Sequence, residues 1–236
     1  LDSGLTVDVT VVLGPGAEMA YFDAARQNMV ASQIRTNKVT DPKLLSALAE
    51  TPREGFLVSR LQEIAYVDED LAIGGGRYLM EPMVLARMIQ ALDLDDGDVV
   101  LDIGCASGYS SAVLARLTTA VVAVECDASL AREATKNFAD IGVDNVVVVE
   151  EELRNGHTEQ APYQAIFLNG AVPKMPEKLI GQLAEGGRLC AVINSGRGPG
   201  QAIRAVRHGA TVATQVLFDA NVPPLPGFDS ETGFVF

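Results

Sequence analysis

The stretch VLDIGCASGY, residues 100–109, decides the fold of this chain. An apolar run ends at the acid Asp102, and a turn of small residues, 104–108, follows at once. In a doubly wound α/β sheet the turn after the first strand lies beside the ligand crevice, and its glycines let a ligand approach the main chain. The helix that follows offers its N-terminal amides. A plain tight turn has the same composition, so the glycines alone do not identify a binding site.

The sequence beyond Gly97 alternates short β-branched runs with helical segments. This alternation predicts right-handed crossovers and a parallel sheet covered on both faces. The valines at 146–149 predict a strand buried on both sides, and residues 201–208 and 210–218 predict a terminal antiparallel pair. We therefore expect a Rossmann-like, doubly wound α/β fold with a mostly parallel seven-stranded sheet. The other strands are expected near 98–103, 120–125, 145–150, 165–169 and 187–193, and the helices near 109–117, 128–139 and 176–184.

The N-terminal part is predicted to be helical. Apolar residues recur at helical spacing over 22–35, and Thr40-Asp41-Pro42 predicts the cap of a second helix that runs through Leu48. Residues 71–82, LAIGGGRYLMEP, are expected to form a loop, because three glycines and a closing proline fall within them. The apolar spacing over 85–92 predicts another helix packed on one face.

The composition describes an acidic chain of 236 residues, 48% of them hydrophobic. Its net charge of −13 disfavours nucleic acid and anionic membrane surfaces as partners. No apolar run approaches the roughly 20 residues that a membrane span needs, and the first residues lack the basic start of a secretory signal. The three cysteines lack metal-binding spacing. We expect a cytoplasmic protein with buried, reduced thiols and no metal, and the oligomeric state stays open.

Acidic residues at two further strand ends suggest what the turn binds. Glu125 ends the second predicted strand 21 positions after Gly104, which is close to the sequence offset of an acid that binds the ribose hydroxyls. Three glutamates, 150–152, close the third predicted strand. An acid at a strand end is often only a solvated group. The turn lacks the glycines of a dinucleotide fingerprint, and the chain has no P-loop. Asp102 suits a positively charged adenosine ligand, such as the sulfonium and ammonium of S-adenosylmethionine.

With that turn in place, the chain resembles the class I S-adenosylmethionine-dependent methyltransferases and, more narrowly, the protein-L-isoaspartate O-methyltransferase family. The resemblance covers residues 29–228. The blocks that carry it, in the family's order and spacing, are MVASQI, PREGFL, AYVDEDLAIG, VLDIGCASGYSSAVLA, YQAIFLNGAV and LAEGGRL.

The resemblance implies a cofactor site, an activity and a division of the chain. The implied activity is methyl esterification of isoaspartyl carboxylates in damaged proteins. From the sequence itself we expect residues 1–18, an unpatterned stretch before Met19, to be a leader or extension of unknown role; residues 19–82 would then be a helical subdomain with the substrate loop, and 83–236 the cofactor-binding methyltransferase domain. Residues 222–225 would cover the substrate. The implied cofactor-binding residues are Asp102, Gly104, Cys105, Ser107, Gly108, Glu125, Cys126, Glu152, Leu153 and Asn169.

The loop before Pro82 departs from the family's pattern. The family typically has Thr-Ile-Ser-Gln-Pro there, preceded by His and Gln around a glycine. In this loop Gly75 replaces the His. In the turn 104–108, Ala106 replaces a glycine of the family's motif. The other replacements are Arg77 for Gln, Tyr78 for Thr, Met80 for Ser and Glu81 for Gln.

Three of these replacements, Arg77, Tyr78 and Met80, are the candidate catalytic residues. Arg77 could anchor an anionic substrate through two-point hydrogen bonding, or be a solvated loop arginine. Met80 could pack over the cofactor. The glycines at 74–76 could hinge a lid or belong to a merely flexible loop.

Three functions stay open on the sequence. The first is isoaspartyl methylation; the second keeps the cofactor but uses a different acceptor, recognised through Arg77, Tyr78 and Glu81; the third is a non-catalytic cofactor-binding module. Methyl transfer to a carboxylate, whose pKa is near 4, requires no general base at neutral pH. The two histidines, His157 and His208, are therefore expected to be surface groups outside the crevice.

Overall fold

The computed structural model describes residues 15–228 of the chain. These residues form a seven-stranded sheet, a separate two-stranded hairpin and seven α-helices. The strands are β1 Leu71–Gly74, β2 Arg77–Leu79, β3 Val99–Ile103, β4 Ala120–Glu125, β5 Val146–Glu150, β6 Tyr163–Val172, β7 Leu183–Ile193, β8 Gln201–His208 and β9 Thr211–Asp219. The helices are α1 Pro15–Asn28, α2 Pro42–Glu50, α3 Ser59–Gln62, α4 Pro82–Leu92, α5 Tyr109–Ala115, α6 Ala128–Asp140 and α7 Glu177–Ile180.

The large sheet has the order β5-β4-β3-β6-β7-β8-β9. The first five strands in this order are parallel, and β8 and β9 continue the sheet in antiparallel fashion. This confirms the predicted doubly wound fold with its antiparallel C-terminal pair. The chain runs from β3 outward to β4 and β5 and returns to the other side of β3 as β6. The strand order therefore reverses beside the carboxyl end of β3, where ligands bind in such sheets.

The strand β5 differs from its prediction. The valines at 146–149 were predicted to be buried on both sides, yet Val147 is 54% exposed. The reason is position, because β5 is the edge strand of the sheet. A run of valines indicates a strand but does not distinguish an edge from a centre.

Residues 71–82 also differ from prediction, because their first nine residues form a hairpin rather than a loop. Strand β1 pairs with β2 in antiparallel fashion, with Leu71 opposite Leu79. Gly75 and Gly76 make the turn with φ values of 58° and 69°. Two central residues with positive φ are the requirement of the tightest hairpin turn. The glycines that predicted a loop therefore join two short strands, and the second strand begins with Arg77.

The N-terminal helices pack on the same core as α4. Helix α1 begins before the predicted position 22 and continues as a π-helical turn, Met29–Ile34. Helix α2 has the predicted cap, in which the Asp41 side chain accepts a hydrogen bond from the Lys43 amide at 2.9 Å. Of the predicted leader, residues 1–14 lie outside the described residues. Among the helices of residues 15–228, none has the length and apolar character that crossing a membrane requires.

Candidate functional site

The turn after β3 is folded against the end of β4. The amides of Gly104 and Cys105 both donate to the carbonyl of Val124, at 2.8 and 3.2 Å. Gly104 has a φ of 78°, and Ala106 has a φ of 55° although it carries a methyl group. Left-handed backbone of this kind favours glycine. The turn therefore keeps the conformation of a glycine motif at the position where alanine replaces glycine.

Asp102 lies beneath this turn and is fully buried. Its Oδ2 accepts hydrogen bonds from the hydroxyls of Ser110 and Ser111, both at 2.6 Å. Its Oδ1 has no hydrogen-bond partner among residues 15–228. Burial raises the pKa of Asp102 to about 6, against the opposing effect of the two serines and Arg77. One carboxylate oxygen is thus held by the first turn of α5 and the other is available to a donor.

Glu125 ends β4 and ties the turn to the sheet. Its Oε1 accepts from the amides of Cys126 and Asp127, at 2.9 and 3.2 Å. Its Oε2 accepts from the amide of Ala106 at 2.8 Å and from Nε of Arg77 at 3.3 Å. The side chain is fully buried. Both acids predicted to hold the cofactor, Asp102 and Glu125, therefore lie beside the turn 104–108 at the ends of β3 and β4, a region that we call the corner.

Arg77 lies in this corner and is only 3% exposed. Besides its ion pair with Glu125, its Nη2 donates to the carbonyl of Gly104 at 2.6 Å. A Cβ placed on Gly104 would lie 2.5 Å from this Nη2 and 2.7 Å from Cδ2 of Leu225. The guanidinium and the leucine therefore fill the space above the glycine. The alternative prediction of a solvated loop arginine is wrong, because the hairpin places Arg77 inside.

A small pocket adjoins the corner on the side of Arg77. Asn169 lies there at 6% exposure, with Nδ2 donating to Ser110 Oγ at 3.1 Å and Oδ1 unpaired within residues 15–228. Met80 is packed into the hydrophobic core at 3% exposure. The pocket is lined by Asp70, Arg77, Tyr78, Met80, Asn169, Gly170, Val222, Pro223 and Pro224. The three candidate catalytic residues thus share one pocket with the end of β6 and with the predicted covering stretch.

The remaining predicted residues fall in two groups. Cys105, Ser107 and Gly108 are buried in the turn, as its sequence suggested. Glu152 is exposed beyond the end of β5 and pairs with Arg154 at 2.9 Å, whereas Leu153 is buried in the core. Glu125 therefore holds the turn through Ala106, and Asn169 reaches the start of α5 through Ser110. Within residues 15–228, Glu152 makes no hydrogen bond to any of them.

Two predictions about individual side chains are wrong. Cys126 is exposed rather than buried, because it follows the last residue of β4 at the surface; Cys105 and Cys190 are buried, and all three thiols are free. His157 is 7% exposed rather than a surface group. Its carbonyl accepts from the Tyr163 hydroxyl at 2.7 Å, which holds this segment against β6. His208 is exposed, as predicted.

Arg53 is a residue of the site region that sequence reasoning missed. It is fully buried and donates to the carbonyl of Ala65 at 2.7 Å and to that of Met80 at 2.8 Å. Its guanidinium lies 4.9 Å from the centre of the Tyr109 ring. Burial lowers its pKa. Arg53 therefore fixes the segment after β2, and its only signal in the sequence was its place in the block PREGFL.

The acid Glu81 lies at the N-terminus of α4, among other carboxylates. Its amide donates to Asp70 Oδ1 at 2.9 Å, and the amide of Met83 donates to Asp68 Oδ1 at 3.0 Å. Burial, with the charges of Asp70, Asp68 and Glu69, raises the pKa of Glu81 to about 7. Glu81 therefore places an ionisable carboxyl beside the pocket, where the family pattern has an uncharged Gln.

The corner has the chemistry that a positively charged adenosine cofactor requires. Two buried carboxylates lie at the ends of adjacent strands, and the turn between them has a glycine, Gly104, whose main chain is covered by the side chains of Arg77 and Leu225. Oδ1 of Asp102, which has no partner in the part of the chain that the structure describes, is an acceptor for a cationic donor. The residues fit such a group, and Arg77 is the side chain that stands in its place above Gly104.

Comparisons with known proteins agree on one family. The sequence model of the protein-L-isoaspartate(D-aspartate) O-methyltransferases matches residues 24–223. Protein-L-isoaspartate O-methyltransferase 1 of Rhodopseudomonas palustris is 38% identical over 207 residues, which cover 87% of this chain and 84% of that protein. The Roseiflexus castenholzii protein-L-isoaspartate O-methyltransferase is 37% identical over 206 residues, which cover 87% and 94%.

Two solved structures are similar over most of the chain. A protein-L-isoaspartate O-methyltransferase matches with a TM-score of 0.76 and 28% identity, over 86% of this chain and 66% of that chain. A putative protein-L-isoaspartate O-methyltransferase from Plasmodium falciparum, solved in complex with S-adenosyl-L-homocysteine, matches with a TM-score of 0.72 and 18% identity, over 85% and 97%. The second is similar in fold alone.

Proposed function

Because the chain belongs to the protein-L-isoaspartate(D-aspartate) O-methyltransferase family, we propose that it esterifies isoaspartyl carboxylates of damaged proteins with the methyl group of S-adenosyl-L-methionine. The observation that carries the proposal is the convergence of two buried acids, Asp102 and Glu125, on one glycine turn. When bound, the cofactor supplies an electrophilic sulfonium methyl group.

The residues proposed to hold the cofactor belong to the corner and its surroundings. Glu125 would accept hydrogen bonds from the ribose hydroxyls, and Asp102 would attract the ammonium of the methionine part. Gly104 would allow the ligand to approach the main chain once the side chains above it have moved. Glu152 and Leu153 are assigned to the adenine side and Asn169 to the reacting end. The rest of this set is Gly104, Cys105, Ser107, Gly108 and Cys126.

The chain's own contribution to the reaction is orientation and the exclusion of water. An acceptor carboxylate is already ionised at neutral pH, so no residue has to remove a proton. Arg77 is the proposed anchor for that carboxylate, because a guanidinium binds a carboxylate through two parallel hydrogen bonds. Tyr78 and Met80 line the same pocket and would exclude water from it. Holding the two reactants in line is then the main source of rate.

The test is transfer of a labelled methyl group to an isoaspartyl peptide. The matched control is the peptide of identical sequence with a normal aspartyl residue. We expect base-labile methyl ester on the isoaspartyl peptide alone. Equal labelling of both peptides, or of neither, would contradict the proposed acceptor.

A second candidate keeps the cofactor and changes the acceptor. The observation that favours it is the apolar Met80 in the pocket, at the position where the family has a hydroxyl, beside the acid Glu81. A different carboxylate bound through Arg77 and Tyr78 would then be methylated. Retained binding of S-adenosyl-L-homocysteine without labelling of the isoaspartyl peptide would favour this candidate, and a panel of small carboxylic acids would be the next substrates.

We also propose a cytoplasmic location. The three cysteines are free, and two of them are buried thiols. Free thiols are typical of a reducing compartment. Rapid pairing of the exposed Cys126 between two molecules in an oxidising buffer, with gain of stability, would argue for an extracellular protein instead.

A further inference from the structure

Arg77 lies between two parts of the site. One is the cofactor corner, formed by the turn 104–108 and Glu125, and the other is the small pocket proposed to bind the acceptor, which we call the acceptor pocket. On one side it pairs with Glu125 and donates to the carbonyl of Gly104. On the other side it lines the small pocket together with Tyr78, Met80 and Asn169. The Arg77 guanidinium can therefore pair with Glu125 or bind an acceptor carboxylate in the pocket, but it cannot do both at the same time.

The hydrogen bonds of Glu125 show what has to change when a ligand binds. An ionised carboxylate has about four acceptor positions. In this structure three main-chain amides and Nε of Arg77 occupy them, and the Cys126 thiol adds a weak contact at 3.4 Å. The amides are fixed by the turn and by the start of α6. The strong donor that can leave is the Arg77 side chain.

The space above the turn leads to the same conclusion. The guanidinium lies against Gly104, at the position that a Cβ would take. A ligand that approaches the main chain there must displace the Arg77 guanidinium and the neighbouring Leu225 side chain. The hairpin can yield at that point, because Gly75 and Gly76 form its exposed turn directly before Arg77.

We propose that Arg77 exchanges partners during binding: the ribose takes its place on Glu125, and the released guanidinium turns to the carboxylate of the acceptor. This inference rests on the proposed function. It makes Arg77 both an internal counterion of the cofactor site and a determinant of acceptor specificity. It also sets an order, because the acceptor anchor becomes available only after the cofactor has bound.

The first test is calorimetry with S-adenosyl-L-homocysteine on the wild type, on Arg77→Gln and on the control Arg60→Gln. Arg60 is exposed on α3. If the wild-type site is free of its counterion for about a tenth of the time, removing the counterion tightens binding by about tenfold. We expect that gain for Arg77→Gln and none for Arg60→Gln. Equal or weaker binding by Arg77→Gln would overturn the exchange.

A second test uses the unaltered protein and does not depend on how a variant folds. The Nε–Hε signal of Arg77 in a nitrogen-15 spectrum is assigned by its loss in Arg77→Lys. We expect saturating S-adenosyl-L-homocysteine to shift this signal and an isoaspartyl peptide added afterwards to shift it again. An unchanged signal in the saturated protein would overturn the proposal.

Steady-state kinetics distinguish an Arg77 that binds the acceptor carboxylate from an Arg77 that only stabilises the fold. In Arg77→Gln we expect the KM for an isoaspartyl peptide to rise by about tenfold or more, while the KM for the cofactor falls. A fall in kcat with both KM values unchanged would contradict the exchange. If no form of the protein binds S-adenosyl-L-homocysteine, the proposed function fails as well; if all forms bind it equally, the exchange fails alone.

Discussion

Arg77 and Glu125 form a buried ion pair, with 3.3 Å between Nε and Oε2, although 48 positions separate them in the chain. The first residue begins the short strand β2 and the second ends β4. Their contact joins the hairpin to the cofactor corner. It also places a guanidinium where a cationic cofactor is expected.

Replacing Glu125 tests the energetic weight of this contact. Glu125→Gln would leave the Arg77 charge buried without an anionic partner. Breaking a buried pair from one side typically costs about 3 kcal/mol or more, and we expect that fall in the free energy of unfolding measured in urea. The double variant Arg77→Met with Glu125→Gln should regain part of it. A loss within error for the single variant would mean that the pair contributes nothing to stability.

Replacing Gly104 separates strain from crowding. Gly104→Ala forces a methyl into left-handed backbone and against Arg77 and Leu225. The matched control is Gly186→Ala, where φ is 72° and nothing lies within 4 Å of the added Cβ. The control should lose only about 1–2 kcal/mol of unfolding free energy, and Gly104→Ala should lose clearly more and no longer bind S-adenosyl-L-homocysteine. Equal losses with intact binding would contradict the close approach at Gly104.

Arg53 should be essential for the position of the segment after β2. Arg53→Lys keeps the charge but cannot reach both carbonyls, those of Ala65 and Met80, with one planar group. Hydrogen bonds of charged groups contribute about 1.5–3 kcal/mol each, so we expect a loss of about 3 kcal/mol in urea unfolding. The exposed Arg60→Lys is the control and should change little. Faster amide exchange at 79–81 in Arg53→Lys would show the loosened segment, and unchanged exchange would contradict this role.

Asp102 should give stability a distinct dependence on pH. Burial raises its pKa to about 6 from the usual 3.8, so the folded protein holds a proton that the unfolded chain releases between those values. The ionised form is therefore costly in the fold, and that cost disappears as the pH falls. Relative to Asp102→Asn, the wild type should gain on the order of 2 kcal/mol of unfolding free energy from pH 7 to pH 4. A constant difference over this range would contradict the raised pKa.

The sequence predicted the architecture well, because strand and helix periods reflect which faces are buried. The blocks around VLDIGCASGY predicted the family. The separation of 21 positions between Gly104 and Glu125 in the sequence predicted that Glu125 lies beside the turn. The edge position of β5 was not predictable, since Val147 has the same side chain in a centre or at an edge. The inward turn of Arg77 was missed because its pairing with Glu125 depends on the hairpin, and the glycines that form that hairpin look like a loop.

A crystal structure of the complex with S-adenosyl-L-homocysteine tests the central claim most directly. We expect the ribose hydroxyls on Glu125, the nucleoside above Gly104, and the Arg77 guanidinium withdrawn from both. A ligand bound in another cleft while Arg77 and Glu125 remain paired would contradict the account.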